Sequence, residues 1–304
     1  MKTIRTIRAK FKKLLVKFYL LMSELSSVPI STLIILSSNP IHESYRMSMF
    51  KKLRLGLRMY LNTLHITTGT SYRAHLVMAS KIMAIPPDIL GDIVECGTWK
   101  GGSATNLSII CNIVGRKLKV YDSFEGLPDT KPGEPLANKN LKGAFAGMID
   151  EVISNIKRYG EIECCEFEKG WFDDTLPKLN SPVLLAFIDV DLESSLHTCV
   201  RWIWPNLVDQ GYLFTDEAAF LEYVALFYSE KWWRKYFNRN PPGLIGAGSG
   251  LPLGQYYIGP WTGRLSLEWY IKTFEEPIVV AYTQKNMSAY WTYYPEDEVS
   301  SSLQ

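Results

Sequence analysis

The chain has 304 residues, a formal net charge of +2 and 47% hydrophobic residues. That much apolar material supports a large core and excludes a wholly disordered chain, while 21 Gly and 16 Pro exclude collagen-like or low-complexity classes. The charge is uneven: residues 1–60 hold 12 Lys/Arg against 2 Asp/Glu and residues 61–304 hold 21 against 29, so the body is mildly acidic and poorly suited to binding nucleic acid.

Residues 1–60 read as a basic, helical N-terminal extension. Met1 to Lys17 contains seven basic residues and no acid; an apolar stretch from Leu14 to Leu36 follows, interrupted by Glu24, Pro29 and several serines. No run of 18 uncharged apolar residues occurs, so a spanning helix is not expected. Nor does the segment form a proper signal-peptide core. A basic amphipathic helix in peripheral contact with the inner face of a membrane and a solvated helix packing on a partner subunit both remain open.

Residues 61–304 read as one α/β domain. A helical lead-in over 61–90, with Tyr72, Leu76, Ile82 and Met83 as apolar contacts, ends at Pro86 and Pro87. Strands are expected at 93–96, 118–124, 162–167, 183–191 and 211–217, and helices at 103–114, 146–159, 192–207 and 218–237. The run VLLAFIDVD (183–191) is apolar on both faces, as a central parallel strand should be. Residues 277–284 and 288–295 read as a closing antiparallel pair. This alternation gives a doubly wound, Rossmann-like sheet, whose ligands sit outside the carboxyl ends of the strands.

Three motifs fall at those ends. Glu95-Cys-Gly97-Thr98-Trp-Lys-Gly101-Gly102-Ser103 is a Gly-rich turn that lets backbone approach a ligand. It is neither G-x-G-x-x-G nor a Walker loop, and a carboxylate at Glu95 suits a cationic ligand better than a pyrophosphate. Asp122, 27 residues after Glu95, ends the second strand, where a carboxylate accepts from ribose hydroxyls. Nicotinamide and S-adenosylmethionine sites share that pair. Finally, Asp189-Val-Asp191 and Asp216-Glu217 bring four carboxylates to one rim. A hard divalent cation such as Mg²⁺ takes such ligands, and a free carboxylate beside it serves as a base. Solvated edge acids are the competing reading, with Asp191 as a helix cap.

Together these stretches resemble the macrocin O-methyltransferase (TylF-type) family of S-adenosylmethionine-dependent enzymes. The matching blocks are VECGTWKGGSA (94–104), VYDSFEGLPDT (120–130), KGWFDDTLP (169–177), AFIDVDLESS (186–195) and GYLFTDE (211–217). DSFEGLP and KGWF-DTLP are the most specific. The resemblance implies a class I methyltransferase fold, a homo-oligomer, and Mg²⁺-assisted methylation of a hydroxyl on a sugar or glycosylated substrate. It implies that Glu95, Gly97, Thr98 and Ser103 line the methionine side of the cofactor. Asp122 and Ser123 would hold the ribose, with Trp171 and Phe172 near the adenine. Asp189, Asp216 and Glu217 would hold the metal, and Asp191 would be the general base. Two departures mark a divergent branch: Glu193 replaces a tyrosine in D-x-D-L-Y, and Asp216-Glu217-Ala218 replaces D-D-Y. They keep open an alternative, a non-catalytic protein of the same fold that binds or scaffolds glycan. A nicotinamide-dependent oxidoreductase is a weaker third reading.

The Gly/Pro-rich segment 240–260 reads as a lid, a binding loop or a subunit contact. With Trp232, Trp233, Tyr256, Tyr257, Trp261 and Trp269 it is a candidate aromatic sugar platform. Of the four histidines, His65 or His75 could reach the site, while His197 reads as an ordinary helical residue. Cys96, Cys111, Cys164, Cys165 and Cys199 contain no C-x-x-C and read as reduced, buried thiols of a cytoplasmic protein, Cys164 and Cys165 pointing opposite ways on a strand.

Overall fold

The computed structural model describes residues 2–134, 141–218, 221–244 and 280–287. Its centre is a six-stranded sheet of β1 (Asp92–Cys96), β2 (Leu118–Asp122), β3 (Cys165–Lys169), β4 (Val183–Ile188), β5 (Leu207–Thr215) and β6 (Ala281–Gln284). The order is β3-β2-β1-β4-β5-β6, parallel except for β6, which runs antiparallel to β5. The doubly wound α/β sheet is thus the expected one, and the reversal between β1 and β4 makes the switch point where such sheets bind ligands.

The helices are α1 (Lys2–Ser37), α2 (Met49–His65), α3 (Tyr72–Ala84), α4 (Gly102–Val114), α5 (Ile149–Tyr159), α6 (Phe172–Thr175), α7 (Glu193–Asn206), α8 (Leu221–Leu226) and α9 (Glu230–Phe237). β4 is buried along its whole length and supplies both cores by alternation. Leu185 and Phe187 join the apolar cluster under α2–α5, while Ala186 and Ile188 join the cluster under α7–α9. Residue 60 falls inside α2, whose Leu55, Met59 and Tyr60 are part of the first core, as are Val28, Ile35 and Leu36 of α1. The α1–α2 crossing is close because Gly56 has no side chain; a Cβ there would lie 1.9 Å from Thr32 Oγ1.

Four local expectations are corrected. The strand expected at 162–167 starts three residues later, because Ile162–Cys164 forms a 3-10 turn tied to α4. Ser108 Oγ accepts from the Glu161 N–H at 2.9 Å, and Cys164 Sγ donates to the Ser108 carbonyl at 3.3 Å. Cys164 and Cys165 therefore do not diverge on a strand; both thiols reach the Glu161 carbonyl, and both are only half-buried. The single helix expected over 218–237 is two, since Ser229 caps α9 by accepting from the Trp232 N–H. Ser123 and Phe124 lie past the end of β2, with Phe124 in the left-handed region at φ 58°. Of the closing pair, β6 forms as expected; residues 288–295 lie outside the described residues, as do 245–260 and the aromatic residues Tyr256, Tyr257, Trp261 and Trp269.

Candidate active site

The carboxyl ends of all five parallel strands open into one cavity of about 460 Å³. Its walls are Gly97–Trp99 after β1, Asp122 and Ser123 after β2, Gly170–Phe172 after β3, Asp189–Asp191 after β4 and Asp216 after β5. Ten of the twelve site residues named from the sequence line it, namely Gly97, Thr98, Ser103, Asp122, Ser123, Trp171, Phe172, Asp189, Asp191 and Asp216. Glu95 and Glu217 do not, and each has a different role.

Glu95 is fully buried behind the turn. Neither carboxyl oxygen closes a hydrogen bond, and Thr98 Oγ1 also lacks a partner. Burial pushes the Glu95 carboxyl up to about 8; the neighbouring hydroxyls of Ser103 and Thr98 oppose that shift, and Asp189 and Asp122 add to it. Gly97 makes the turn possible. It sits at φ 82°, and a Cβ there would lie 1.8 Å from the Asp189 carbonyl. Asp122 fastens the turn from β2, its Oδ2 accepting from the Thr98 N–H at 2.7 Å and its Oδ1 from the Phe124 N–H at 2.6 Å. Ser123 closes the next turn by donating to the Gly126 carbonyl.

Glu217 holds the Asp189–Asp191 turn. Its Oε1 accepts from the N–H groups of Val190 at 2.9 Å and Asp191 at 2.7 Å, and Tyr223 donates to the Asp191 carbonyl at 3.0 Å. These bonds fix Asp191 at φ 58°, an uncommon conformation for a residue with a side chain. The helix-cap reading of Asp191 fails, because Leu192 is the N-cap of α7 and no side chain caps it. Instead Glu134 Oε1 accepts from the Ser194 N–H at 3.0 Å, pinning the loop after β2 to the start of α7. Burial raises the Asp191 carboxyl to about 6; burial and the Asp191 charge raise Asp189 to about 7, although Thr70 donates to it at 3.2 Å.

The acids expected to hold a metal feel one another: burial, then the charges of Asp189, Glu217 and Asp191, raise the Asp216 carboxyl well above the usual range. Among the described residues no group of three or more His, Cys, Asp or Glu is placed to hold one ion. Asp189 and Asp216 line the cavity, and Glu217 turns Oε1 to the backbone N–H groups of Val190 and Asp191.

Sequence reasoning missed the loop before α3, where Thr67, Thr68 and Gly69 line the cavity and Thr70 reaches Asp189. The run Thr67-Thr-Gly-Thr-Ser71 between two apolar helices was the available signal. It also missed Trp99 and Phe145, packed edge to face at 5.4 Å against the cavity. The histidines stay outside it. His75 is buried against Asn106 at 2.9 Å and burial lowers it to about 3; His65 stacks on Tyr159, and His197 contacts Glu193 and Trp232. Trp233 is no sugar platform, being fully buried against Trp204.

Residues 65–236 match the family model described as macrocin-O-methyltransferase (TylF), which includes every strand-end motif above. The chain belongs to this family. Among similar curated proteins is the 8-demethyl-8-(2,3-dimethoxy-alpha-L-rhamnosyl)-tetracenomycin-C 4'-O-methyltransferase of Streptomyces olivaceus. It is 31% identical over 139 residues, covering 42% of this chain and 53% of that protein. The demethyldecarbamoylnovobiocin O-methyltransferase of Streptomyces niveus is 29% identical over 140 residues, covering 43% and 53%. The chain thus spans about half the length of the curated relatives it matches. Among solved structures, the O-methyltransferase NovP aligns at 19% identity with a TM-score of 0.48, over 85% of this chain and 98% of that one. In this TylF-family chain Glu217 Oε1 accepts from two successive backbone N–H groups, those of Val190 and Asp191.

Proposed function

We propose that this chain is an S-adenosylmethionine-dependent O-methyltransferase that acts on a hydroxyl of a sugar or glycosylated small molecule. The observation that carries the reading is the cavity itself, backed by a buried, unpartnered Glu95 and lined by an Asp191 held in a left-handed turn. Family membership and the glycoside-modifying relatives support the same chemistry.

The residues present fit the cofactor. Glu95 and Thr98 offer polar atoms without partners for a cationic amino group, and Asp122 lines the cavity where ribose hydroxyls donate in related sites. Gly97 and Gly102 let the walls of the cavity close on one another, a Cβ on Gly102 lying 2.6 Å from Thr68 Cβ. Trp171 and Phe172 supply an aromatic wall. When bound, S-adenosylmethionine supplies a methyl group activated by its sulfonium. Asp191 would take the proton of the hydroxyl that receives this methyl group. With its carboxyl raised to about 6, Asp191 is ionised at neutral pH yet more basic than an exposed aspartate. Magnesium assistance is what the resemblance implies, with Asp189, Asp216 and Glu217 as the residues that would hold the ion, and no step here runs through a metal. The five free cysteines support a reducing, cytoplasmic setting.

Asp191→Asn tests the assignment. It should leave S-adenosylhomocysteine binding intact and lower turnover by about 10²–10⁴-fold. Turnover at the wild-type rate would overturn the role given to Asp191.

A further inference from the structure

The N-terminal half of α1 has no counterpart in the site chemistry. From Val28 onward α1 is part of the core, with Val28, Thr32, Ile35 and Leu36 buried. Before that point seven apolar side chains are exposed. Phe11, Leu14, Leu15, Phe18, Met22 and Leu25 recur at three- and four-residue spacing, which puts them on one helix face, and are between 37% and 62% exposed. Residues 2–17 of the same helix carry seven Lys and Arg and no acid. No helix among the described residues is long and apolar enough to cross a membrane.

We infer that this half of α1 is an interfacial anchor that docks on an anionic lipid bilayer. A basic helix with one aromatic-rich apolar face lies in the headgroup plane, its apolar side chains entering the acyl boundary and its cations meeting lipid phosphates. Charge argues against the other occupant, a second copy of this chain. Two such arms side by side would set fourteen basic residues against two acids, the Glu24 of each. Nor is the body an acidic partner. The described residues from 61 on hold 23 acids and 18 Lys/Arg, and six of those acids (Glu95, Asp122, Asp189, Asp191, Asp216 and Glu217) lie at or behind the cavity, leaving 17 acids against 18 basic residues elsewhere. An outer surface so close to neutral gives the arm little to bind, whereas a bilayer rich in anionic lipid supplies what it lacks.

The arm also leaves the body at a telling place. Arg73 donates to Ser27 Oγ at 3.0 Å and Ser31 pairs with the Tyr72 hydroxyl at 2.9 Å, so α1 departs beside the first turn of α3. The loop just before that turn lines the cavity. An arm held on a bilayer therefore keeps the cavity near the lipid surface.

The test is co-sedimentation of the full chain with phosphatidylcholine vesicles and with vesicles containing about 30% phosphatidylglycerol, at low and high salt. The account expects partition onto anionic vesicles at least about tenfold above neutral ones, weakened by salt. Both Leu14→Glu/Phe18→Glu and Lys10→Gln/Lys12→Gln/Lys13→Gln should abolish that preference while keeping S-adenosylhomocysteine binding, which reports a folded body. Equal partition onto both vesicle types, or none, would overturn the inference. So would a Leu14→Glu/Phe18→Glu chain that binds vesicles as before but has a lower mass by light scattering, a result that assigns the face to a second copy.

Discussion

Glu95 is fully buried and neither of its carboxyl oxygens has a hydrogen-bond partner. A carboxyl raised to about 8 in the folded chain, against 4.5 when exposed, favours the folded state only while it is protonated. Its contribution is present below about pH 4.5 and is lost as pH rises through about 8. Glu95→Gln removes that loss. Its melting temperature should match wild type at pH 5 and exceed it by about 3 °C or more at pH 8, as measured by scanning calorimetry without ligand. The same substitution should weaken S-adenosylhomocysteine binding at pH 8, because the cationic amino group then lacks a buried anion. A variant no more stable than wild type at pH 8 would show that Glu95 is already compensated.

At the scale of elements, the decisive feature is the turn from β4 into α7. Asp191 can face the cavity only because Glu217, at the end of β5, reaches across to two successive N–H groups and Tyr223 holds the following carbonyl. A shorter side chain cannot span to both amides. Glu217→Asp and Tyr223→Phe should therefore lower kcat by about tenfold or more, with little change in cofactor affinity, since neither side chain lines the cavity. Equal losses in kcat and in S-adenosylhomocysteine binding would instead mark them as general supports of the fold. This turn also shows what sequence can and cannot reveal. The apolar run of β4 and the acids after it were legible because burial on both faces leaves a continuous hydrophobic signature. The job of Glu217 was not, because its hydrogen bonds join residues 26 and 27 positions apart and leave no local pattern. The late start of β3 was hidden for the same reason: a tether from Ser108 to the 161–164 turn overrides an apolar pattern that fits a strand.

At the scale of the molecule, the parallel sheet gathers residues from five strand ends into a single cavity, and that was readable from the order of strands and Gly-rich turns. The loop at Thr67–Thr70 completes the cavity from outside the βα pattern, and only the packing of α2 and α3 brings it there. The central claim is that this cavity binds S-adenosylmethionine and that Asp122 and the Glu95 turn organise its site. Calorimetric titration of the purified chain with S-adenosylhomocysteine tests it most directly. The account predicts saturable binding in the micromolar range, a free energy of about −8 kcal/mol, weakened by Asp122→Ala. No heat of binding to a folded chain would contradict it.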